Sequence, residues 1–247
     1  RKEQNKIGLV AGPCSAETRV QMLETQELEA YSIKTIRAGL WKPRSRFGSF
    51  EGVGSCGLVW LNEIQQELGL KVMTEVALLL IRRNDEAGID MVWIGARTTA
   101  IPFMMNELAE SLRGCNIPVW VKNPVCPDIE FVGAVERLLH AGLKDIRIIH
   151  RGFCAIDHLP YRNVPLWEQA DIFRTRLPDM PFYCDPSHIA GKRELLLSVC
   201  EKALSLHVDG LFIGRIAVRK GLSDASQQLT PDALAELLNL LNVPIEK

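Results

Sequence analysis

Eight short apolar runs recur along the chain, at residues 7–11, 35–38, 72–76, 91–96, 119–122, 146–150, 181–184 and 210–213. Most are rich in Val and Ile, and they are apolar throughout rather than alternating. That is the pattern of strands buried on both faces of a parallel sheet. Between them lie stretches with helical spacing, at 16–31, 57–68, 103–112, 130–141, 166–176, 192–206 and 231–241. The third crossover, over 78–87, is ambiguous, because its LLLIRRND run is apolar where mixed polarity is expected. Strand and helix alternating eight times predicts an α/β fold, a (β/α)8 TIM barrel, rather than a sandwich. An open nucleotide-binding sheet is disfavoured, since no GxGxxG follows a strand and no GxxxxGK[ST] is present. With no linker or repeat in sight, residues 1–247 are expected to form one catalytic domain.

A length of 247 residues suits one such barrel. Hydrophobic residues make up 47% and charged residues 24%, with a formal net charge of −1. Nothing global therefore points to nucleic acid or to an anionic membrane, and any anion must be attracted locally. The apolar runs are too short to span a bilayer, and the basic start runs straight into a strand and a Gly-Pro turn, unlike a signal peptide. The cysteines, at 14, 56, 115, 126, 154, 184 and 200, are odd in number and form no CxxC pair. Reduced thiols and a cytoplasmic location are expected, with most of the cysteines as small core residues.

The polar residue at or just past each strand end carries the chemistry. In order these are Cys14, Arg37 followed by Lys42, Arg44 and Ser45 in WKPRS, Glu75, Arg97, Lys122, Arg151, and Asp185 with His188. The eighth run breaks the pattern, with Arg215 and Asp224 lying only shortly beyond. In a barrel these positions converge on the rim where active sites form. Six cations on one rim repel one another unless anions join them, and a small phosphorylated acid suits that field. The plainer alternative pairs each cation with a nearby carboxylate, yet only Glu75, Asp185 and Asp224 are evident neighbours. Cys14 and His188, with carboxylates, suit a divalent transition metal. His140, His150, His158 and His207 show no ligand spacing and read as structural, and Trp41, Trp60, Trp93, Trp120 and Trp167 read as packing residues.

Taken in order, AGPCSAE, RAGLWKPR, GSFEGVG, MTEV, IGAR, VKNP, HRGF, DPSH and LSDASQQ resemble the type I 3-deoxy-arabino-heptulosonate 7-phosphate (DAHP) synthases over nearly the whole chain. The branch most resembled can be fused to chorismate mutase, although the chain stops at Lys247 with no room for such a domain after the barrel. The resemblance implies an aldol-like condensation of phosphoenolpyruvate with erythrose 4-phosphate, releasing phosphate, as the first committed step toward aromatic amino acids. It places Arg37, Lys42, Arg97, Lys122 and Arg151 around phosphoenolpyruvate, with Glu75 in the same substrate-binding set. It places Arg44 and Ser45 at the sugar phosphate, and Cys14, His188 and Asp224 among the ligands of a divalent metal such as manganese. Lys42, Cys14 and His188 are thereby the catalytic candidates, Lys42 for proton transfer. A homo-oligomer is expected by analogy.

The match breaks at the eighth strand, where GLFIGR puts Gly214 in the place of a metal-ligand Glu in segments like GLMIE. Residues 216–220 lack the usual polar pattern, and Phe47, Ile101 and Leu78–Leu80 replace polar or small residues. Weaker metal binding is the expected result. Two alternatives follow: a non-catalytic or regulatory phosphoenolpyruvate-binding homologue, and a synthase for another sugar phosphate such as 3-deoxy-octulosonate 8-phosphate. Octulosonate synthases usually lack the KPR[ST] element, so Lys42–Ser45 favours the four-carbon sugar phosphate.

Overall fold

The computed structural model describes residues 6–44, 47–76, 88–128, 130–215, 225–242 and 244–245. Strands β1 (Gly8–Gly12), β2 (Thr35–Arg37), β3 (Lys71–Glu75), β4 (Met91–Ile94), β5 (Val119–Lys122), β6 (Ile146–His150), β7 (Phe182–Cys184) and β8 (Gly210–Gly214) close into one barrel in sequence order. Every pair is parallel, and β8 closes on β1 from Gly8↔Gly210 to Gly12↔Gly214. The expected (β/α)8 architecture is thus present, with its third crossover outside the described residues.

Two apolar bodies hold the barrel. Val10, Met73, Met91, Trp93, Trp120, Ile149, Tyr183 and Phe212 fill the interior. The residues between them in each strand face outward against the helices, as Ile36, Val72, Val92, Val121, Ile148 and Leu211 do. The helices answer with one apolar stripe. On Phe131–His140 the buried residues are Phe131, Ala134, Val135 and Leu138, the spacing of one helical face.

Several local boundaries differ from expectation for identifiable reasons. The stretch 16–31 is not one helix. A short helix, Arg19–Leu23, is capped by the Thr18 side chain, and 3-10 turns follow over Glu24–Tyr31. There the Thr25 hydroxyl bonds to the Met22 carbonyl (2.5 Å) and Arg215 donates to the Glu24 carbonyl (3.3 Å), so side chains draw off carbonyls that an α-helix would use. The helix expected over 192–206 likewise begins as a 3-10 turn, Arg193–Leu195, before Leu196–Ser205. Strand β4 stops at Ile94 because Ala96–Thr99 turns into helix directly over the rim. A second short helix, Pro186–Ala190, follows β7, with Pro186 at its start and the Asp185 side chain accepting from the His188 amide.

Cys14, Cys184 and Cys200 are the small core residues expected, but Cys56, Cys126 and Cys154 are exposed and Cys115 is half-buried. All seven are free thiols. The Trp residues do pack: Trp93 and Trp120 plug the barrel, while Trp41, Trp60 and Trp167 lie against the outer core. Among the described residues no helix is long and apolar enough to cross a membrane.

His150 is fully buried against the rings of Phe153, Trp167 and Phe182. Burial pushes its imidazole down from 6.5 to about 4, with the Pro165 carbonyl opposing. Between those values the unfolded chain binds a proton that the folded protein refuses, so stability falls as pH drops through the window. The full loss amounts to about 3 kcal/mol for a shift of this size. Urea midpoints measured from pH 7 to pH 4 should therefore fall less steeply in His150→Phe than in the parent protein.

Candidate active site

The period-two alternation of the strands positions the site. Inward-facing Trp120, Ile149, Tyr183 and Phe212 lie in the barrel plug, so the inward position two residues later is at the carboxyl-end rim. Those positions are Lys122, Arg151, Asp185 and Gly214, and Glu75 follows Met73 in the same way. Arg37, at the end of β2, joins them.

The plug forms the floor. The Arg37 guanidinium sits 4.4 Å above the Phe212 ring and 5.1 Å from Trp93. The Lys122 ammonium is 5.0 Å from Phe212 and 5.8 Å from Trp93. These ring faces are negative and tolerate cations that have lost most of their water.

One carboxylate sits at the centre of this cationic floor. Asp185 Oδ2 lies 2.7 Å from His188 Nδ1, 3.1 Å from Lys122 Nζ and 3.8 Å from Arg37 Nη1. Its other oxygen accepts the His188 amide, at 3.1 Å. Burial alone would raise the Asp185 carboxyl, but His188, Lys122 and Arg37 outweigh it and hold it well below the usual carboxylate range. Burial pulls the Lys122 ammonium down to about 8, with Arg37 and Lys42 adding to the fall and Asp185 and Glu75 opposing it. Arg37 is fully buried, yet its Nε and Nη1 have no hydrogen-bond acceptor among the described residues. Buried donors of this kind are normally satisfied, so the site is built for an acceptor brought from outside.

Above the floor, Lys42, Arg44, Glu75, Arg97, Lys122, Arg151 and His188 line one cleft. Arg44 is steadied by the Phe50 carbonyl (3.1 Å), and Glu75 lies against Gly95, where a Cβ would meet its Oε1 at 2.1 Å. The cleft adjoins a second hollow past Lys42 and Arg44, lined by Trp41, Glu51, Thr98 and Met104. The expected cations thus do share a mouth, and the two deepest, Arg37 and Lys122, share one buried carboxylate. Ser45 and Asp224 fall outside the described residues. Arg215 turns away from the cleft, with Nη2 2.7 Å from Glu27 Oε2. Arg162, in the loop after β6, lines the same cleft and was not foreseen. It sits away from any strand end, so the rule that found the others passes over it.

A family model described as the DAHP synthetase I family matches residues 2–244. The chain belongs to that family. A Thermotoga maritima protein named phospho-2-dehydro-3-deoxyheptonate aldolase is 30% identical over 237 residues, which cover 93% of this chain and 67% of that protein. The crystal structure of phospho-2-dehydro-3-deoxyheptonate aldolase (DAHP synthase) from T. maritima aligns with TM-score 0.84 and 27% identity over 98% of this chain and 72% of that one. A truncated form of 3-deoxy-D-arabino-heptulosonate 7-phosphate synthase from the same organism aligns with TM-score 0.80 and 25% identity, over 98% and 90%.

The DAHP synthetase I family is generally metal-dependent. His188 Nδ1 lies 2.7 Å from Asp185 Oδ2, a contact that would leave Nε2 as the nitrogen to bind a metal. Cys14 supplies a thiol at the end of β1, fully buried, with its amide on Gln228 Oε1 (2.9 Å) and Gln227 Nε2 4.0 Å from its sulfur. Position 214 supplies no side-chain donor, and the room beside it is tight. The Gly214 amide donates to Ser187 Oγ (2.9 Å), and a Cβ there would lie 3.1 Å from Cys14 Sγ and 3.3 Å from Ser187 Cβ and Oγ. Among the described residues no three His, Cys, Asp or Glu side chains gather as a metal site.

Gly214→Ala tests how tightly this corner is closed. Forcing a methyl into a packed site costs about 1–3 kcal/mol. Thermal or urea unfolding of the variant is expected to show a loss in that range, and an unchanged midpoint would mean that Cys14 and Ser187 yield freely.

Proposed function

We propose that this chain is a DAHP synthase that condenses phosphoenolpyruvate with erythrose 4-phosphate to give DAHP and inorganic phosphate. The observation that carries the reading is the excess of cations over carboxylates among the described residues of one cleft: six foreseen Arg and Lys side chains around Asp185 and Glu75. Two phosphorylated substrates would neutralise that excess. Family membership and the names of the relatives support it. In this reading the chain acts as one barrel unit in the cytoplasm. It associates as a homo-oligomer, and its branch of the family makes chorismate mutase a candidate partner.

Arg37, Lys42, Arg97, Lys122 and Arg151 hold phosphoenolpyruvate, with Arg37 and Lys122 deepest, and Glu75 bounds the same cleft. Arg44 and Ser45 hold the phosphate of the sugar. C3 of phosphoenolpyruvate forms a bond to the aldehyde carbon, and Lys42 delivers the proton to the new hydroxyl. Water adds at C2, and the hemiketal phosphate breaks its C–O bond to release phosphate and leave the ketone. The chain's contribution is positioning and preorganised positive charge. A divalent ion, manganese or similar, held by Cys14, His188 and Asp224, would supply Lewis acidity toward the aldehyde oxygen. With no donor at Gly214 it would be held loosely.

The direct test is disappearance of phosphoenolpyruvate with both substrates and added manganese. Consumption that requires erythrose 4-phosphate is expected. Turnover only with a five-carbon aldose phosphate would reassign the enzyme, and binding without turnover would make it a phosphoenolpyruvate-binding homologue. Dialysis against metal-free buffer is expected to lower the rate, and manganese to restore it. The Lys122 ammonium binds an anion only when protonated, so kcat/KM for phosphoenolpyruvate should fall as pH rises through about 8. Lys122→Arg, which stays charged, should lack that fall while starting from a lower plateau.

A further inference from the structure

We propose that Arg162 is a third phosphate-gripping arm, acting with Arg97 and Arg151 on the phosphoryl group of phosphoenolpyruvate and set in place by Gln227. The proposal rests on the substrate reading above and adds a residue to it that the strand-end pattern does not supply.

Three observations converge on Arg162. The first is its location: it lines the cleft that holds Arg97, Lys122 and Arg151. The second is electrostatic. Burial lowers the Arg151 guanidinium to about 10; Asp185 opposes the fall, while Arg162 and Arg97 add to it, so both of these guanidiniums act on Arg151 across the cleft. An anion among three such groups is attracted by all of them, and a phosphoryl group offers enough oxygens for several forked contacts.

The third observation is how the side chain is held. Its Nη1 donates to Oε1 of Gln227, which is fully buried. A neutral amide at that position orients the guanidinium without cancelling its charge. Below it, the Arg162 and Asn163 amides both donate to the Ile189 carbonyl, at 3.0 and 3.2 Å, and Asn163 Nδ2 donates to the His188 carbonyl at 2.6 Å. The loop is thereby tied to the short helix that carries His188. Gly191 at the end of that helix leaves room for the approach, since a Cβ there would stand 2.4 Å from Arg162 Cβ. A surface arginine present only for solubility needs none of these supports.

Phosphate is the leaving group of the proposed reaction, so the same arm would bind both substrate and product. Equilibrium titration calorimetry of the intact protein with inorganic phosphate, and separately with phosphoenolpyruvate, provides the test. Arg162→Gln is expected to weaken both by about 10- to 100-fold, the range for losing a charge-assisted hydrogen bond. Arg162→Lys should recover part of the loss, because it restores the charge without the fork. Gln227→Leu should weaken both ligands less than Arg162→Gln does, in a protein shown folded by its melting transition. In steady state the KM for erythrose 4-phosphate should stay within about twofold, as a local contact to the other substrate requires. Unchanged affinity for both ligands in Arg162→Gln would overturn the proposal, and so would a loss confined to erythrose 4-phosphate. If the parent protein binds phosphoenolpyruvate through Arg162 but never turns over, the synthase reading fails and this one stands.

Discussion

The site depends on a buried carboxylate that three positive or protonatable groups share. Asp185 reaches Arg37, Lys122 and His188 together, so cations can be stacked at the bottom of the mouth without the barrel paying the full electrostatic penalty of isolated charges. Glu75, the other buried carboxylate of the cleft, also acts on Lys122, and without either acid the buried cations would stand unsupported. The balance is helped from below, where Phe212 and Trp93 present ring faces to the same two cations. The barrel's hydrophobic plug is therefore part of the electrostatics as well as of the packing.

Much of this was legible because strand geometry is rigid. Once Trp120, Ile149 and Tyr183 face the barrel interior, Lys122, Arg151 and Asp185 have little freedom to point elsewhere. The short, unbroken apolar runs revealed the strand count for the same reason, since a parallel strand buried on both faces admits few polar residues. What stayed hidden lies where no such periodicity operates. Arg162 belongs to a loop whose path is fixed by main-chain bonds to Ile189, which no local pattern announces. The broken helix over 16–31 fails for a related reason, because Arg215, nearly two hundred residues away, takes the Glu24 carbonyl. Asp185 was visible as a neighbouring acid, but its role as a shared hub is a property of three separate strand ends.

The eighth strand shows where the rim pattern stops. Its register with β1 is complete, and its inward Phe212 serves the floor. Only the next inward position, Gly214, brings no side chain to the rim. The cation-lined cleft and the corner at Gly214 are thus separable features: one is built across six strands, the other hinges on the junction of β8, β1 and the helix after β7.

The Ser187 hydroxyl at that junction also bears on what position 214 can hold. A side chain there would bring its Cβ to 3.1 Å from the Cys14 sulfur and 3.3 Å from Ser187, so its neighbours must give by a few tenths of an ångström to admit it. Two side chains far apart in the sequence therefore act together as the gauge of that corner.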